Sequence, residues 1–208
     1  MRLPNSEHLD RPWRIHELVA DFRLEDVWAL PTPGGPDELR RLVDQIAHGV
    51  DSSSPLTRAL FAIRWKIGGL LGLDGDRTGL GSRVPSLRDR LPADLRDGPR
   101  GPDFTAHPFA PVYLLHDEFA AEIANRTVHA VMHVGWVADP SSDGGYRGQM
   151  AVLARPNGLL GDGYMALIDP FRRWIVYPSL MRDIGANWHA GSTPQAVPAP
   201  TATTATRP

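Results

Sequence analysis

The sequence contains no cysteine, which removes three kinds of chemistry at once. Disulfide bonds, thiolate metal sites and cysteine nucleophiles are all excluded, and the redox state of the surrounding compartment is left open. Lysine is almost as scarce, because Lys66 is the only lysine in the chain. This bias toward arginine is more typical of a GC-rich genome than of a demand for bidentate recognition.

A strong net charge and a long hydrophobic run are also missing. The formal net charge of -2 offers no electrostatic basis for binding nucleic acid or an anionic membrane. The first residues lack the apolar core of a secretory signal, so we expect a cytoplasmic protein. The one stretch that suggests a membrane helix, residues 56–73, contains Arg58, Arg64 and Lys66. A spanning helix needs about 20 predominantly apolar residues, so we predict a buried helix there and no membrane span.

The sequence lacks the motifs that identify common enzyme classes. There is no Gly-x-Ser-x-Gly elbow, no His-Glu-x-x-His and no repeat of fixed period. Residues 158–163 are rich in glycine before a predicted helix, as in an anion cradle, but they lack the P-loop lysine and the dinucleotide spacing. We interpret them as a strand-to-helix turn and expect no cofactor.

Length and composition indicate one domain with appendages. The 208 residues are enough to bury a substantial core. We predict an N-terminal arm at residues 1–16, a single domain at 17–186 and a disordered tail at 187–208. Residues 72–108, rich in Gly, Pro, Asp and Arg, are unusually long for a loop and are either a mobile insertion or a pocket lid. A single helical turn is predicted within them at residues 86–91.

Alternating apolar residues predict an antiparallel sheet. Residues 21–30 alternate like a half-buried strand that ends at Pro31, although Asp26 falls on the apolar side. Further strands are predicted at residues 112–116, 118–124, 127–137 and 146–155, and residues 139–145 are a hairpin connector.

Apolar residues at helical spacing predict three helices. They cover residues 37–48, 54–70 and 159–184. The last helix is nearly all apolar, and bends are predicted in it at Pro170 and Pro178 because proline removes a backbone hydrogen bond.

Two histidines on one strand are the first candidates for chemistry. His129 and His133 share a strand face because side chains alternate with a period of two. Four residues at about 3.3 Å each separate them by roughly 13 Å, and zinc binds imidazole at about 2.0–2.1 Å, so one ion cannot bridge both. No metal site is therefore expected. Each histidine alone is a candidate acid or base, with catalysis the less favoured interpretation.

Three carboxylates on the preceding strand or just before it could join a histidine site across the hairpin. They are Asp117, Glu118 and Glu122. Glu118 and Glu122 lie opposite Phe119 and Ile123, which predicts that both are solvated. A general acid or base needs an apolar pocket to raise its pKa, and the sequence shows none nearby.

A small set of polar-tipped side chains is predicted to line a ligand cavity. Apolar ligand sites combine an apolar wall with a few such groups. The alternative is that these residues simply fill the core. The candidates are Trp136, Tyr146, Gln149, Tyr164 and Trp174.

Several segments together resemble an uncharacterised bacterial family, the domain of unknown function numbered 2867. They are residues 21–28 (Asp-Phe-Arg-Leu-Glu-Asp-Val-Trp), 125–129, 135–136, 164–172 and 175–178. The resemblance covers roughly residues 8–185. The family has no established activity, so the resemblance implies no catalytic residues. Some members follow a nicotinamide-binding, short-chain-dehydrogenase-like domain in the same chain, which implies a protein partner of that kind.

The order of elements also resembles the helix-grip fold of START-like (Bet v 1-like, SRPBCC) proteins. We expect an α+β fold in which a curved antiparallel sheet grips a long C-terminal helix. Fold analogy then implies an apolar cavity between sheet and helix. Three functions follow: a binding module for an apolar or aromatic small molecule, a cyclase- or dehydratase-like enzyme using His129 or His133, and a partner-binding module. Which face of strand 127–137 lines the cavity is left open.

Overall fold

A single antiparallel sheet of six strands organises the described part of the chain. The computed structural model describes residues 1–48, 80, 84–105, 108–125, 128–157 and 177–191. The sheet is curved, and its strand order is β1-β2-β6-β5-β4-β3. The strands are β1 (Arg2–Leu3), β2 (Arg23–Gly34), β3 (Ala110–Leu114), β4 (Glu118–Ala124), β5 (Val128–Ala138) and β6 (Tyr146–Pro156). The predicted α+β class and antiparallel sheet are confirmed.

The helices in the described residues are short except for two. They are α1 (Ser6–Leu9), α2 (Ile15–Leu18), α3 (Leu39–His48), α4 (Ala93–Arg96) and α5 (Tyr177–Ala190), together with a 3-10 turn at Leu87–Arg90. The 3-10 turn and α3 match the predicted helical turn and the first predicted helix. None of the helices in these residues is long and apolar enough to cross a membrane.

The hairpin of β5 and β6 forms where the sequence predicts it. Residues 139–145 connect the two strands, and Gly144 and Gly145 have φ angles of +83° and +78°. Only glycine adopts such angles without strain, so the Gly-Gly pair fixes the turn. The register pairs His133 with Ala151 and Gly135 with Gln149.

A β-bulge explains the imperfect alternation of β2. Leu24 pairs with Leu153, but the next paired residue, Asp26, is opposite Val152, so Glu25 is an extra residue. Beyond the bulge the two faces of the strand exchange by one position. Asp26 is therefore buried, and Arg2 Nε lies 3.1 Å from its Oδ1.

β2 also extends four residues beyond its predicted end. Pro31 and Pro33 lie within it, although proline cannot donate to a ladder. The register with β6 shifts between Ala29 and Pro33, and β1 pairs with β2 only at Val27 and Trp28. The prolines thus lie where the ladder is already interrupted.

The first face of the sheet packs against α3 and α5. It carries Met132, Val134 and Trp136. One apolar side of α3 meets this face, and Ile184 and Trp188 of α5 complete the layer. α5 continues beyond the predicted end at residue 184, and Trp188 is 1% exposed. Residues 158–176, with Tyr164, Trp174 and the predicted bend at Pro170, lie outside the described residues, as do the helix predicted at 54–70 and residues 192–208.

The second face, which carries His129, Val131, His133 and Gly135, is also covered. Its apolar layer joins the sheet to two segments that were expected to be an arm and a loop. The buried apolar members of this layer from residues 1–20 and 84–105 are Trp13, Ile15, Leu18, Val19, Leu87, Leu91 and Leu95. Within the described residues the sheet is therefore the middle of three layers.

Residues 1–20, called here the N-terminal cover, differ from the irregular structure expected at residues 1–16. They form β1, α1 and α2, and His8 and Ile15 are fully buried. Pro4 and Pro12 fall between these elements rather than inside them, so they remove no helical hydrogen bond. The apolar residues of the cover bury surface that the second face would otherwise expose.

Replacing Gly148 by alanine will destabilise the protein by about 1–3 kcal/mol, because overpacking a close-packed core costs free energy of this size. A Cβ atom there would lie 2.6 Å from Leu42 Cδ2 and 2.9 Å from Leu30 Cδ1. The control is Gly35→Ala, whose added Cβ meets its nearest atom at 4.0 Å. Urea denaturation measures both changes, and equal losses of stability would contradict this account of the packing.

Candidate functional site

The pairing of β4 with β5 places each histidine beside a carboxylate. Ala120 is opposite His133 and Ala124 is opposite His129, so Glu118 and Glu122 are their diagonal neighbours on the second face. Diagonal residues on one face lie within reach of long side chains. The prediction that the two histidines share a face is confirmed.

The prediction that Glu118 and Glu122 are solvated is wrong. Their exposed fractions are 2% and 1%. The reason is the cover over the second face: Arg14 of the N-terminal cover bonds Glu118, and residues 86–87 bond Glu122. A buried carboxylate must be hydrogen-bonded or paired, and both are.

The Glu122–His129 pair is closed by backbone and serine donors. His129 Nε2 lies 2.7 Å from Glu122 Oε2. The same carboxylate accepts from the Leu87 amide at 3.1 Å and from the Ser86 hydroxyl. His129 Nδ1 is buried without a hydrogen-bond partner among the described residues and its ring packs edge-on against Phe22. The pair therefore fastens residues 86–87 to the sheet.

The Glu118–His133 pair has three donors around the carboxylate. Glu118 Oε2 accepts from His133 Nε2 at 2.9 Å and from the Tyr113 hydroxyl at 3.0 Å, and Oε1 accepts from the Arg14 amide at 2.8 Å. Burial acts to raise the pKa of Glu118, but these hydrogen bonds outweigh it and hold the pKa below its usual value. Burial and the neighbouring charge of Glu118 raise the pKa of Tyr113, which stays a protonated donor.

A chain of histidines continues from this pair into the N-terminal cover. His133 Nδ1 lies 3.1 Å from His8 Nε2, and His8 Nδ1 lies 3.2 Å from His16 Nε2. With ionised Glu118 and neutral rings, one set of tautomers satisfies every contact: each Nε2–H donates toward Glu118. His133 Nδ1 is then a basic lone pair, and in the closed form it accepts from His8.

The histidines of the cover are held neutral. Burial first, and then the repulsion that a protonated His8 would meet from a proton on His133 or His16, lower the pKa of His8 to about 3. Burial and His133 also lower the pKa of His16, which lies at the half-buried end of the chain. The nitrogens of this chain pair with one another instead of converging, and no group of three or more metal-binding residues occurs in the described ranges.

Beside His133 the second face carries a glycine, Gly135, which leaves room for a ring to pack on the sheet. Trp13 lies directly over Gly135, where a Cβ would meet its ring at 2.7 Å, and its ring centroid is 5.2 Å from that of His133. Gln149 Nε2 donates to the Glu7 carbonyl at 3.1 Å. Gln149 Oε1 and Trp13 Nε1 are buried without a hydrogen-bond partner among the described residues.

The predicted ligand residues are divided between the two faces. Gln149 lies on the second face, near the histidine chain. Trp136 lies on the first face, where its Nε1 donates to the Gly35 carbonyl at 2.8 Å and its ring packs on Trp188. Tyr146 packs against the same first-face core. Tyr164 and Trp174 lie outside the described residues, so their predicted role stays a prediction.

Sequence reasoning missed His8, His16 and Tyr113 as members of the site. The signal that could have found the first two is the apolar spacing of Trp13, Ile15 and Leu18, which is unusual for a free arm. That spacing indicates a segment that packs on another surface.

Comparison with known proteins identifies a family but no activity. A family model described as "Protein of unknown function (DUF2867)" matches residues 18–179. No curated protein and no solved structure matches the chain. Glu118 and His133 lie within the matched residues, whereas His8 and His16 precede them.

The stability of the protein will fall as the pH drops below about 6.5. His8 has a pKa of about 3 in the folded protein, against an ordinary value of 6.5, so the unfolded chain binds more protons between these values. At pH 5 this linkage costs about 2 kcal/mol relative to neutral pH. The lowered pKa of Glu118 also makes the protein less stable as the pH falls, but at more acidic pH. Its contribution to stability is lost as the carboxylate becomes protonated.

The measurement is the free energy of unfolding in urea at pH 5, 6, 7 and 8, for wild type and for His8→Gln. The variant will have a shallower slope between pH 5 and 6.5. His116→Gln is the control, because the His116 side chain is 86% exposed. Equal wild-type stability at pH 5 and pH 7 would show that His8 is not held neutral.

Proposed function

The chain belongs to the DUF2867 family of proteins of unknown function, and we propose that it acts on a small apolar or aromatic molecule by general acid–base catalysis. It is an enzyme of the dehydratase or cyclase kind in this proposal. His133 Nδ1 exchanges a proton with the substrate, and Glu118 orients the imidazole ring. The proposal develops the expectation that a strand histidine serves as an acid or base.

The contact of His133 Nε2 with the Glu118 carboxylate, at 2.9 Å, is the observation that carries the proposal. Glu118 accepts from Nε2, which fixes the tautomer and leaves Nδ1 as the proton acceptor. A carboxylate in this position also stabilises the imidazolium that forms when Nδ1 takes a proton. Buried ionisable groups with perturbed pKa values are commonest at functional sites, which adds support.

The two histidine pairs differ in a way that favours His133 over His129. His129 Nδ1 faces Phe22, so a proton placed there meets an apolar ring. His133 Nδ1 faces the imidazole of His8, which is a planar, polar group with an N–H donor. A substrate with an N–H, an O–H or an activated C–H bond takes the same place when His8 leaves it.

The chemistry of this class is proton removal coupled to elimination. In a dehydration, His133 Nδ1 takes a proton from carbon and the C–H electron pair forms the new double bond. The C–O bond breaks, and the leaving hydroxide takes the proton from the His133 imidazolium to become water, which returns His133 to its neutral form. A positioned base contributes about 10²–10⁴-fold to such a step.

We also propose the START-like helix-grip arrangement as the finer description of the fold. α5 supports it, because Trp188 packs on Trp136 and Tyr177 packs on Trp28, at ring-centroid distances of 5.8 and 5.3 Å. In this arrangement an apolar cavity lies between the helix and the first face, on the side of the sheet opposite His133. Native mass spectrometry of protein purified from its own host will detect a retained apolar or aromatic molecule. Finding only apo protein would count against the cavity.

The acid–base proposal is tested with 5-nitrobenzisoxazole, a general probe for a base in an apolar site. A base removes the ring C–H proton, the N–O bond breaks and a coloured cyanophenolate forms. The rate constant at pH 7 will be at least about tenfold lower in His133→Gln than in wild type. Glu118→Gln will also be slower, because its amide cannot accept every hydrogen bond that the carboxylate accepts.

The matched control is His129→Gln, which alters the other buried histidine–glutamate pair on the same strand. Its rate will stay within about threefold of wild type, with circular dichroism confirming that each variant is folded. A folded His133→Gln protein as fast as wild type would overturn the proposal.

A further inference from the structure

The N-terminal cover is held in place by strand pairing, apolar packing and polar contacts with the sheet. Its strand has two residues, and α1 and α2 have four residues each. Helices this short are unstable alone in water, so the cover owes its structure to the surface beneath it. β1 pairs with β2, and Trp13, Ile15, Leu18 and Val19 pack in the apolar layer of the second face. The polar contacts of the cover include the ion pair of Arg2 with Asp26, the Arg14 amide on Glu118, the Glu7 carbonyl on Gln149, and the histidine chain.

We propose that the N-terminal cover is a built-in competitor of the substrate, which closes the acid–base site at neutral pH and opens it when the histidine chain takes up protons. This inference rests on the proposed function, because it assigns the regulation of the same site. The substrate that competes with the cover is then a planar molecule with hydrogen-bond donors.

The position of His8 is the first reason for competition. Its Nε2–H donates to His133 Nδ1, the atom that a substrate must reach. Trp13 fills the space over Gly135 in the same way that an aromatic ring of a ligand would. The cover therefore contributes one imidazole donor and one flat apolar ring to the place of the substrate.

The second reason for competition is that two buried polar atoms at the contact of the cover with the sheet have no hydrogen-bond partner in the described ranges. Gln149 Oε1 accepts no hydrogen bond and Trp13 Nε1 donates none, within the described ranges. A buried polar group left without a partner costs about 1–3 kcal/mol. A ligand that donates to both His133 Nδ1 and Gln149 Oε1 satisfies an acceptor that the cover does not.

Counting protons explains why the cover opens in acid. Each of the three contacts from Glu118 to His16 holds one hydrogen, and the outer nitrogen of His16 can hold one more. The chain therefore accommodates a single extra proton. A second extra proton places two N–H groups opposite each other, so that both donate and neither accepts. The centroids of neighbouring rings are only 4.9 Å apart.

No carboxylate beyond Glu118 bonds this chain to offset a second positive charge, within the described ranges. His133 and Glu118 face His8 from the sheet, and His16 faces it from α2. The other charged groups of α1 and α2 pair among themselves or with α4: Arg11 with Glu7, and Arg14 with Glu17 and Asp94. Asp10 is exposed.

Hydrogen exchange of the full chain, read by mass spectrometry at pH 7.0 and 5.5, tests the inference. After correction for intrinsic exchange, peptides from residues 1–20 will exchange at least about tenfold faster at pH 5.5, while peptides from β6 will not change. His8→Gln keeps a donor and an acceptor but takes up no proton, so its cover will lose most of this acid response. His8→Ala will have a fast-exchanging cover at both pH values.

The rate with 5-nitrobenzisoxazole at pH 7 completes the test. His8→Ala will react at least about tenfold faster than wild type, because the base is uncovered. The inference is overturned if the His8→Ala cover is as protected as that of wild type, or if His8→Gln keeps the full acid response. The proposed function fails separately, when the double variant His8→Ala/His133→Gln reacts as fast as His8→Ala.

Discussion

The burial of one carboxylate, that of Glu118, connects three separate segments of this fold. It accepts hydrogen bonds from Tyr113 on the edge strand β3, from His133 on the central strand β5, and from the Arg14 amide in the N-terminal cover. An ionised carboxylate stays buried only when its oxygens are well bonded. Glu118 therefore fastens the N-terminal cover to two strands of the sheet at once.

The two faces of the sheet use different physical means of closure. The first face packs apolar side chains of α3 and α5 against Met132, Val134 and Trp136. The second face adds two buried histidine–glutamate pairs to its apolar layer. Apolar contacts tolerate small displacements, whereas hydrogen bonds of buried ionisable groups depend on distance and on protonation. The closure of the second face consequently depends more strongly on geometry and on pH than the closure of the first face.

The sequence pattern predicted the sheet well because alternation depends on local geometry. It located β4, β5 and β6, placed His129 and His133 on one face, and registered the bulge in β2 as an anomaly at Asp26. Alternation does not reveal what covers a face, which is why Glu118 and Glu122 were expected in water. Their covering partners lie 104 residues away at Arg14 and 35 residues away at Leu87. The prolines of residues 1–16 hid the cover, since they fall between its elements.

The docking of the N-terminal cover also constrains the order of events when the chain is synthesised. Residues 1–20 leave the ribosome before most of the strands that receive them exist, because β3 to β6 lie between residues 110 and 156. At about 5–20 residues per second, the wait is on the order of ten seconds. During it, Trp13 and Ile15 have no surface of their own domain to pack on. The cover is thus made before strands β3 to β6, and it completes its packing on the second face only after they have formed.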